Sequence, residues 1–144
     1  MHCREVMKQR ILSISPHACV NDAARKMKME EIGCLPVCDD HGRPIGILTD
    51  RDIVVRACAE GRDGQTTRVE QIMTAQPVRC LADATIEHAE ELMLRHRTRR
   101  ILLTDSEDRL IGLISLADVA QHESPMKSAR WLRELSARRF RVER

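Results

Sequence analysis

The chain has 144 residues, 42% hydrophobic and 32% charged, with a formal net charge of +2 at pH 7. That composition excludes an intrinsically disordered chain and fits a single folded core. It also excludes a bilayer-spanning helix, since no apolar run approaches the roughly 18 residues that one needs, and with no apolar stretch in MHCREVMKQR a cytosolic protein is expected.

In chain order, a short apolar strand is expected at Ile11 to Ile14. A helix follows, with Val20, Ala23, Ala24, Met27 and Ile32 on its buried face and Asn21 or Asp22 as its opening residue. Two strands, Leu35 to Cys38 and Ile45 to Thr49, flank the polar turn Asp39-Asp40-His41-Gly42 and read as a hairpin. A second helix begins at Asp50 and reaches Gly61, where a glycine-containing linker, 61–67, begins.

The same order then recurs. Pro77 to Cys80 is a strand, and Asp83 opens a helix whose buried stripe is Ile86, Ala89, Leu92, Met93 and His96. Ile101 to Thr104 and Leu110 to Ser115 form a hairpin around Asp105-Ser106-Glu107-Asp108, and a last helix starts at Leu116. Laying residues 7–53 on 73–119 at an offset of 66 needs no gap. It matches Met7/Met73, Ala18/Ala84, Ala23/Ala89, Met27/Met93, Asp39/Asp105, Arg43/Arg109, Ile45/Ile111, Gly46/Gly112 and Asp52/Asp118 as identities. Apolar positions match almost throughout, so the chain is a tandem repeat. Each unit is strand-helix-strand-strand-helix, an α+β arrangement in which two marginal halves share one core.

Each copy ends in one motif, GILTDRDI at Gly46 to Ile53 and GLISLADV at Gly112 to Val119. It falls at a strand-to-helix junction. Thr49 and Ser115 offer hydroxyls that both donate and accept, and Asp52 and Asp118 follow three residues later. A carboxylate there can accept from the vicinal hydroxyls of a ribose, while free backbone N–H groups favour an anion. Thr49-x-x-Asp52 and Ser115-x-x-Asp118 also have the form of capping boxes; their recurrence at one offset favours the ligand reading. The two glycines allow close approach of a neighbouring strand or a ligand.

The order of elements, the Val6-Met7 and Ile72-Met73 openings, the Leu35-Pro36-Val37 strand and the two Gly-h-x-[Thr/Ser]-x-x-Asp endings resemble a tandem pair of CBS (cystathionine β-synthase) domains, a Bateman module. The resemblance covers about residues 3–122 and implies domains at 3–60 and 68–122, packed as a pseudo-twofold pair of β-α-β-β-α units and followed by a basic tail, 123–144. It implies a non-enzymatic regulatory module that binds adenosine-containing molecules (AMP, ADP, ATP, S-adenosylmethionine) in clefts between the repeats, needs no cofactor, and forms a homodimer that signals to a protein target. It also implies that the Asp of one copy faces the first strand and second-strand start of the other. Thr49, Arg51 and Asp52 would then meet Thr74, Gln76, Val78, Thr98, Arg99 and Arg100, whereas Ser115 and Asp118 would meet Lys8, Arg10, Leu12, Ile32, Gly33 and Cys34. Because arginine forks match phosphate, the Asp52 site is expected to take the phosphorylated ligand and the Asp118 site to be the weaker one.

Two other readings compete. One is an interaction or dimerisation module with a vestigial nucleotide site. The other is a metal or redox responder built on Cys34, Cys38 and His41. Six cysteines without a secretory signal are expected to be thiols, and filling buried positions is the plainer role for Cys34 and Cys38. With one Trp, one Phe and no Tyr, base-stacking platforms for single-stranded nucleic acid are missing; an adenine ring would lie between aliphatic side chains. The tail from Pro125 carries a net +5 and leaves −3 on the rest. It reads as an amphipathic helix with Trp131, Leu132 and Leu135 on its packed face; a nucleic acid or membrane surface is the less favoured use of its charge.

Overall fold

The computed structural model describes residues 1–122 and 125–136. Its elements run in chain order as a 3₁₀ turn Cys3–Glu5, α1 Val20–Glu30, β1 Cys34–Cys38, β2 Pro44–Thr49, α2 Asp50–Asp52 continued as a π-helix Ile53–Cys58, α3 Val69–Ile72, β3 Thr74–Ala75, β4 Arg79–Leu81, α4 Ile86–His96, β5 Arg100–Thr104, β6 Leu110–Ser115, α5 Leu116–Ala120 and α6 Pro125–Ser136. Two three-stranded sheets, β1-β2-β3 and β4-β5-β6, give the expected mixed α+β architecture. The chain divides into two compact bodies. One holds Arg10–Pro77 and Thr104–Ile111, and contains Thr49; the other holds Met1–Gln9, Val78–Leu103 and the described residues from Gly112 on, and contains Ser115.

In the Thr49 body, β1 and β2 pair antiparallel from Cys34↔Thr49 to Cys38↔Pro44, and β2 pairs β3 through Gly46↔Ala75 and Ile47↔Thr74. The buried core is Ile14, Val20, Ala23, Met27, Leu35, Val37, Leu48, Ala57, Val69 and Ile72. The expected first strand contracts to a single parallel bridge, Ile14↔Val37, held by the Ile14 N–H donating to the Pro36 carbonyl and the Cys38 N–H to Ile14. The linker is what starts α1. Its N-cap, Cys19, makes no side-chain cap bond; instead the Val20 and Asn21 N–H groups donate to the Thr67 and Gly64 carbonyls at 3.0 and 2.9 Å. Asn21 and Asp22 therefore lie inside the helix rather than at its cap, because orphan donors at a helix start accept any well-placed oxygen.

In the Ser115 body, α4 begins at Thr85, whose hydroxyl accepts from the His88 N–H at 3.2 Å, while the Ile86 N–H donates to the Met1 carbonyl. Asp83, the expected cap, pairs instead with Arg4 at 3.0 Å. Ile86, Ala89 and Met93 are buried as expected, joined by Glu90, whereas His96 is exposed. Both long helices end on a left-handed residue at matched positions, Glu31 at φ 54° and Arg97 at φ 50°, which stops each helix before its hairpin. On α6, Trp131 and Leu135 are buried, one turn apart on one face. Leu132, expected beside them, points away and is 54% exposed.

The duplicated Met–Gly pairs find each other within the bodies. A side chain on Gly46 would strike the Met73 sulfur, and one on Gly112 would strike the Met7 sulfur. The repeat thus retains glycine because the strand lies against a methionine from the segment that opens the other copy. The other shared pair, Asp39/Arg43 and Asp105/Arg109, builds the hairpin turns: Asp39 Oδ1 accepts from the His41 and Arg43 N–H groups, and Asp105 Oδ1 from Glu107 and Arg109, with all but the His41 and Glu107 contacts closing a four-residue span at 2.9 Å.

Candidate functional site

Both junction motifs close capping boxes. Thr49 Oγ1 accepts from the Asp52 N–H at 3.1 Å, and Asp52 Oδ2 accepts from the Thr49 N–H at 3.0 Å. Ser115 Oγ accepts from the Asp118 N–H at 3.2 Å, while Asp118 Oδ2 accepts from the Ser115 N–H at 2.9 Å and from its hydroxyl at 2.8 Å. The motif residues are therefore satisfied by one another, and what differs is the charge around them.

At the Thr49 junction the nearby charge is internal. Arg56, one turn past Asp52 on the π-helical stretch, lies 3.9 Å from the Asp52 carboxylate. Its guanidinium also donates to the Ile72 and Met73 carbonyls at 3.1 Å each and to Thr74 Oγ1 at 3.4 Å. Thr74 thus comes to the Asp52 side, through an arginine that sequence reasoning passed over. The wider five-residue hydrogen bonding of the stretch, Ala59 N–H to Val54, accompanies this placement; such π-turns recur at functional sites. Gly33 and Cys34 are also here: the Gly33 carbonyl accepts from the Asp50 N–H at 3.0 Å, and Cys34 pairs Thr49. Ile32 is half-buried beside this core, and Arg10, Arg51 and Gln76 are exposed on the same body.

At the Ser115 junction the charge is open. A cavity of about 530 Å³ has Lys8, Arg99, Arg100, Ser115 and Ser128 as its polar lining. Leu113, Leu116, Ala117, Ala120 and Leu132 form the apolar part. Lys8 is held there by a bridge to Leu113, its N–H donating to the Leu113 carbonyl at 3.0 Å. Arg99 is held by its carbonyl, which accepts from the Leu116 N–H at 2.8 Å, and Thr98 Oγ1 accepts from the Arg100 N–H. Among the described residues no carboxylate pairs with Lys8, Arg99 or Arg100. Val78 belongs to the same body, its carbonyl accepting from Leu102.

Arg99 and Arg100 are accordingly placed with Ser115, where the sequence expectation paired them with Asp52; likewise Gly33 and Ile32 lie with Thr49 rather than with Ser115. Hairpin geometry is the reason. In an antiparallel pair the first residue of one strand lies beside the last residue of the next, as Cys34 does beside Thr49; the offset of 66 carries that pair onto Arg100 and Ser115. Lys8 stands with Ser115 as expected.

Cys34, Cys38 and His41 do not gather into a metal site. Cys34 and Cys38 stand at opposite ends of β1, four residue steps and therefore about 13 Å apart, where one zinc ion needs its sulfurs within about 4 Å. His41 is exposed in the turn, and no cluster of three or more potential ligands exists among the described residues. Burial pushes the Cys38 thiol above its ordinary range. Cys3 and Cys80 share a hydrogen bond that lowers the Cys3 thiol and, with burial, raises that of Cys80. None of the six cysteines is in a disulfide.

A family model described as CBS domain matches residues 3–57 and again 69–124. A CBS domain-containing protein, YhcV of Bacillus subtilis, is 35% identical over 126 residues, 88% of each chain. Hypoxic response protein 1 of Mycobacterium tuberculosis is 34% identical over 83% of this chain and 82% of its own. The crystal structure of Hypoxic Response Protein I with two coordinated zinc ions superposes with a TM-score of 0.78 at 32% identity, covering 86% of this chain and all of that one. The CBS domain pair of protein MJ0100, in complex with 5-methylthioadenosine and S-adenosyl-L-methionine, shares the fold at 22% identity and a TM-score of 0.70, covering 85% of this chain and 98% of that one.

Proposed function

The chain belongs to the CBS-domain family and carries a tandem pair of its domains, and on that premise we propose that it is a regulatory sensor of adenine nucleotides, with its phosphate site at the Ser115 junction. One observation carries the reading: Lys8, Arg99 and Arg100, none paired with a carboxylate among the described residues, converge with a hydroxyl on a cavity of about 530 Å³. That volume suits a nucleotide-sized ligand, and its division into cationic and aliphatic linings suits a phosphate joined to an apolar ring. Arginine donates to phosphate in bidentate pairs, and Leu113, Leu116 and Ala117 supply the aliphatic side.

Charge also selects among adenosine compounds. S-Adenosylmethionine carries a sulfonium cation, which three uncompensated cations disfavour, so AMP, ADP and ATP are the preferred class. Regulation without chemistry fits the site, whose motif carboxylates are engaged in capping rather than poised against a nucleophile. A homodimer is part of the same proposal, with Val54 and Val55, 59% and 45% exposed on consecutive positions, as the contact surface.

A thermal-shift panel of AMP, ADP, ATP, S-adenosylmethionine, 5-methylthioadenosine and zinc tests the reading, since stabilisation grows with ligand concentration over Kd. The phosphorylated nucleotides should raise Tm and S-adenosylmethionine should not. A shift with zinc alone would favour a metal responder, and a flat panel would leave an interaction module.

A further inference from the structure

The wall of the cavity farthest along the chain is not part of the repeat. Helix α6 lies beyond both copies, yet Ser128 and Leu132 line the space that Lys8, Arg99, Arg100 and Ser115 line. We propose that α6 completes the ligand site and is the element whose docking reports occupancy. The inference rests on the nucleotide reading above and extends it to regulation.

Three features of α6 support this. Its attachment is specific: Trp131 and Leu135 are 4% and 5% exposed, one turn apart, and the Ser128 hydroxyl donates to the Ala120 carbonyl at 3.4 Å. Those two side chains anchor the helix. Leu132, by contrast, is 54% exposed although it lies on a packed helix and faces the cavity. A leucine left half in water at the edge of a cavity gains by covering an apolar ring, and among the described residues no aromatic side chain lines this cavity to do so. Finally, Ser128 both ties the helix to α5 and borders the cavity, so a ligand there touches the group that holds the helix down.

The two equilibria are then linked. If docked α6 raises nucleotide affinity by some factor, bound nucleotide raises the docking constant by the same factor. An occupied site holds α6; an empty site holds it less firmly. The signal leaves the module through α6 rather than through the repeat.

Trp131 makes this measurable, because it is the only tryptophan in the chain and sits on α6. AMP and ATP are titrated into the full-length chain, following calorimetric Kd and acrylamide quenching of Trp131, for wild type, Leu132→Ala and Ser128→Ala. Leu132 is exposed enough for its truncation to leave the fold intact, which unchanged melting without ligand verifies, and Ser128→Ala is the second variant should it not. Wild type should show quenching that falls on saturation, and Leu132→Ala should bind about tenfold more weakly. Nucleotide binding with equal affinity in all three chains and quenching indifferent to ligand would overturn this inference while leaving the nucleotide site standing. A wild-type chain that binds neither AMP nor ATP overturns both.

Discussion

Thr49–Asp52 and Ser115–Asp118 close the same capping box, yet Arg56 sits on the first and His122 holds the corresponding place in the second. The first junction is self-neutralised: its arginine faces Asp52 and takes up the carbonyls of Ile72 and Met73. The second has cations facing space, with Arg99-Arg100 where the first has Gly33-Cys34. Both copies keep the backbone device, and a few flanking positions close one junction with its own arginine while leaving cations open at the other. The motif alone therefore does not distinguish the copies; the charges that its neighbours leave uncompensated do.

The sharpest way to break that contrast is charge reversal at the open junction. Arg99→Glu with Arg100→Glu should weaken AMP binding by more than about 100-fold, since a charge-assisted hydrogen bond contributes about 1.5–3 kcal/mol and each reversal adds repulsion; isothermal calorimetry reads it. The closed junction should respond in stability instead. Arg56→Ala should cost about 1–2 kcal/mol in urea unfolding, because the Ile72 and Met73 carbonyls and Asp52 lose a donor, while His122→Ala stays within about 0.5 kcal/mol.

Gly46→Ala and Gly112→Ala should both destabilise, by about 1–3 kcal/mol as overpacking does. The Gly46 change should be the worse, because its new methyl meets the Thr74 carbonyl at 3.1 Å as well as Met73, whereas at Gly112 all three nearest atoms belong to the flexible Met7 side chain. Equal melting temperatures would remove that distinction. The smallest effect concerns pH. Backbone N–H donors, those of Arg43 and Arg109 foremost, hold Asp39 and Asp105 below the usual carboxylate range. Lowered folded-state values mean stability that is present above the unfolded value of about 3.9 and lost as pH falls through the folded ones. Asp39→Asn and Asp105→Asn should thus fall short of wild type at pH 6 and converge with it near pH 2. Asp105, which also meets the Arg109 side chain at 2.9 Å, should show the greater salt sensitivity.

Period and offset made most of the fold legible. The two hairpins and two long helices stand where alternation and apolar spacing put them, because their faces are buried within each body. The starts of α2 at Asp50 and α5 at Leu116 were legible from their capping boxes, but those of the two hairpin-preceding helices were not: Asn21, Asp22 and Asp83 have the right chemistry for caps, yet Thr85 caps α4 and distant carbonyls of Gly64, Thr67 and Met1 satisfy other donors at the two helix starts. Arg56 went unnoticed because its acceptors are main-chain carbonyls sixteen and seventeen residues on. The position of Arg99 and Arg100 was readable, however. Strand ends in a hairpin are neighbours, so the register that pairs Cys34 with Thr49 already assigns Arg100 to Ser115. The placement of Ser128 and Leu132 beside the cavity could not be read from the repeat, since both lie outside it.

The two junctions are told apart most directly by which of them a nucleotide phosphate would occupy. Calorimetric titration of ATP into wild type, Arg51→Ala and Arg99→Ala/Arg100→Ala chains decides it. One dominant site is predicted, with affinity unchanged by Arg51→Ala and reduced about 100-fold in the double variant. Binding that survives the double variant but is lost with Arg51→Ala would place the phosphate at the Thr49 junction and contradict the account.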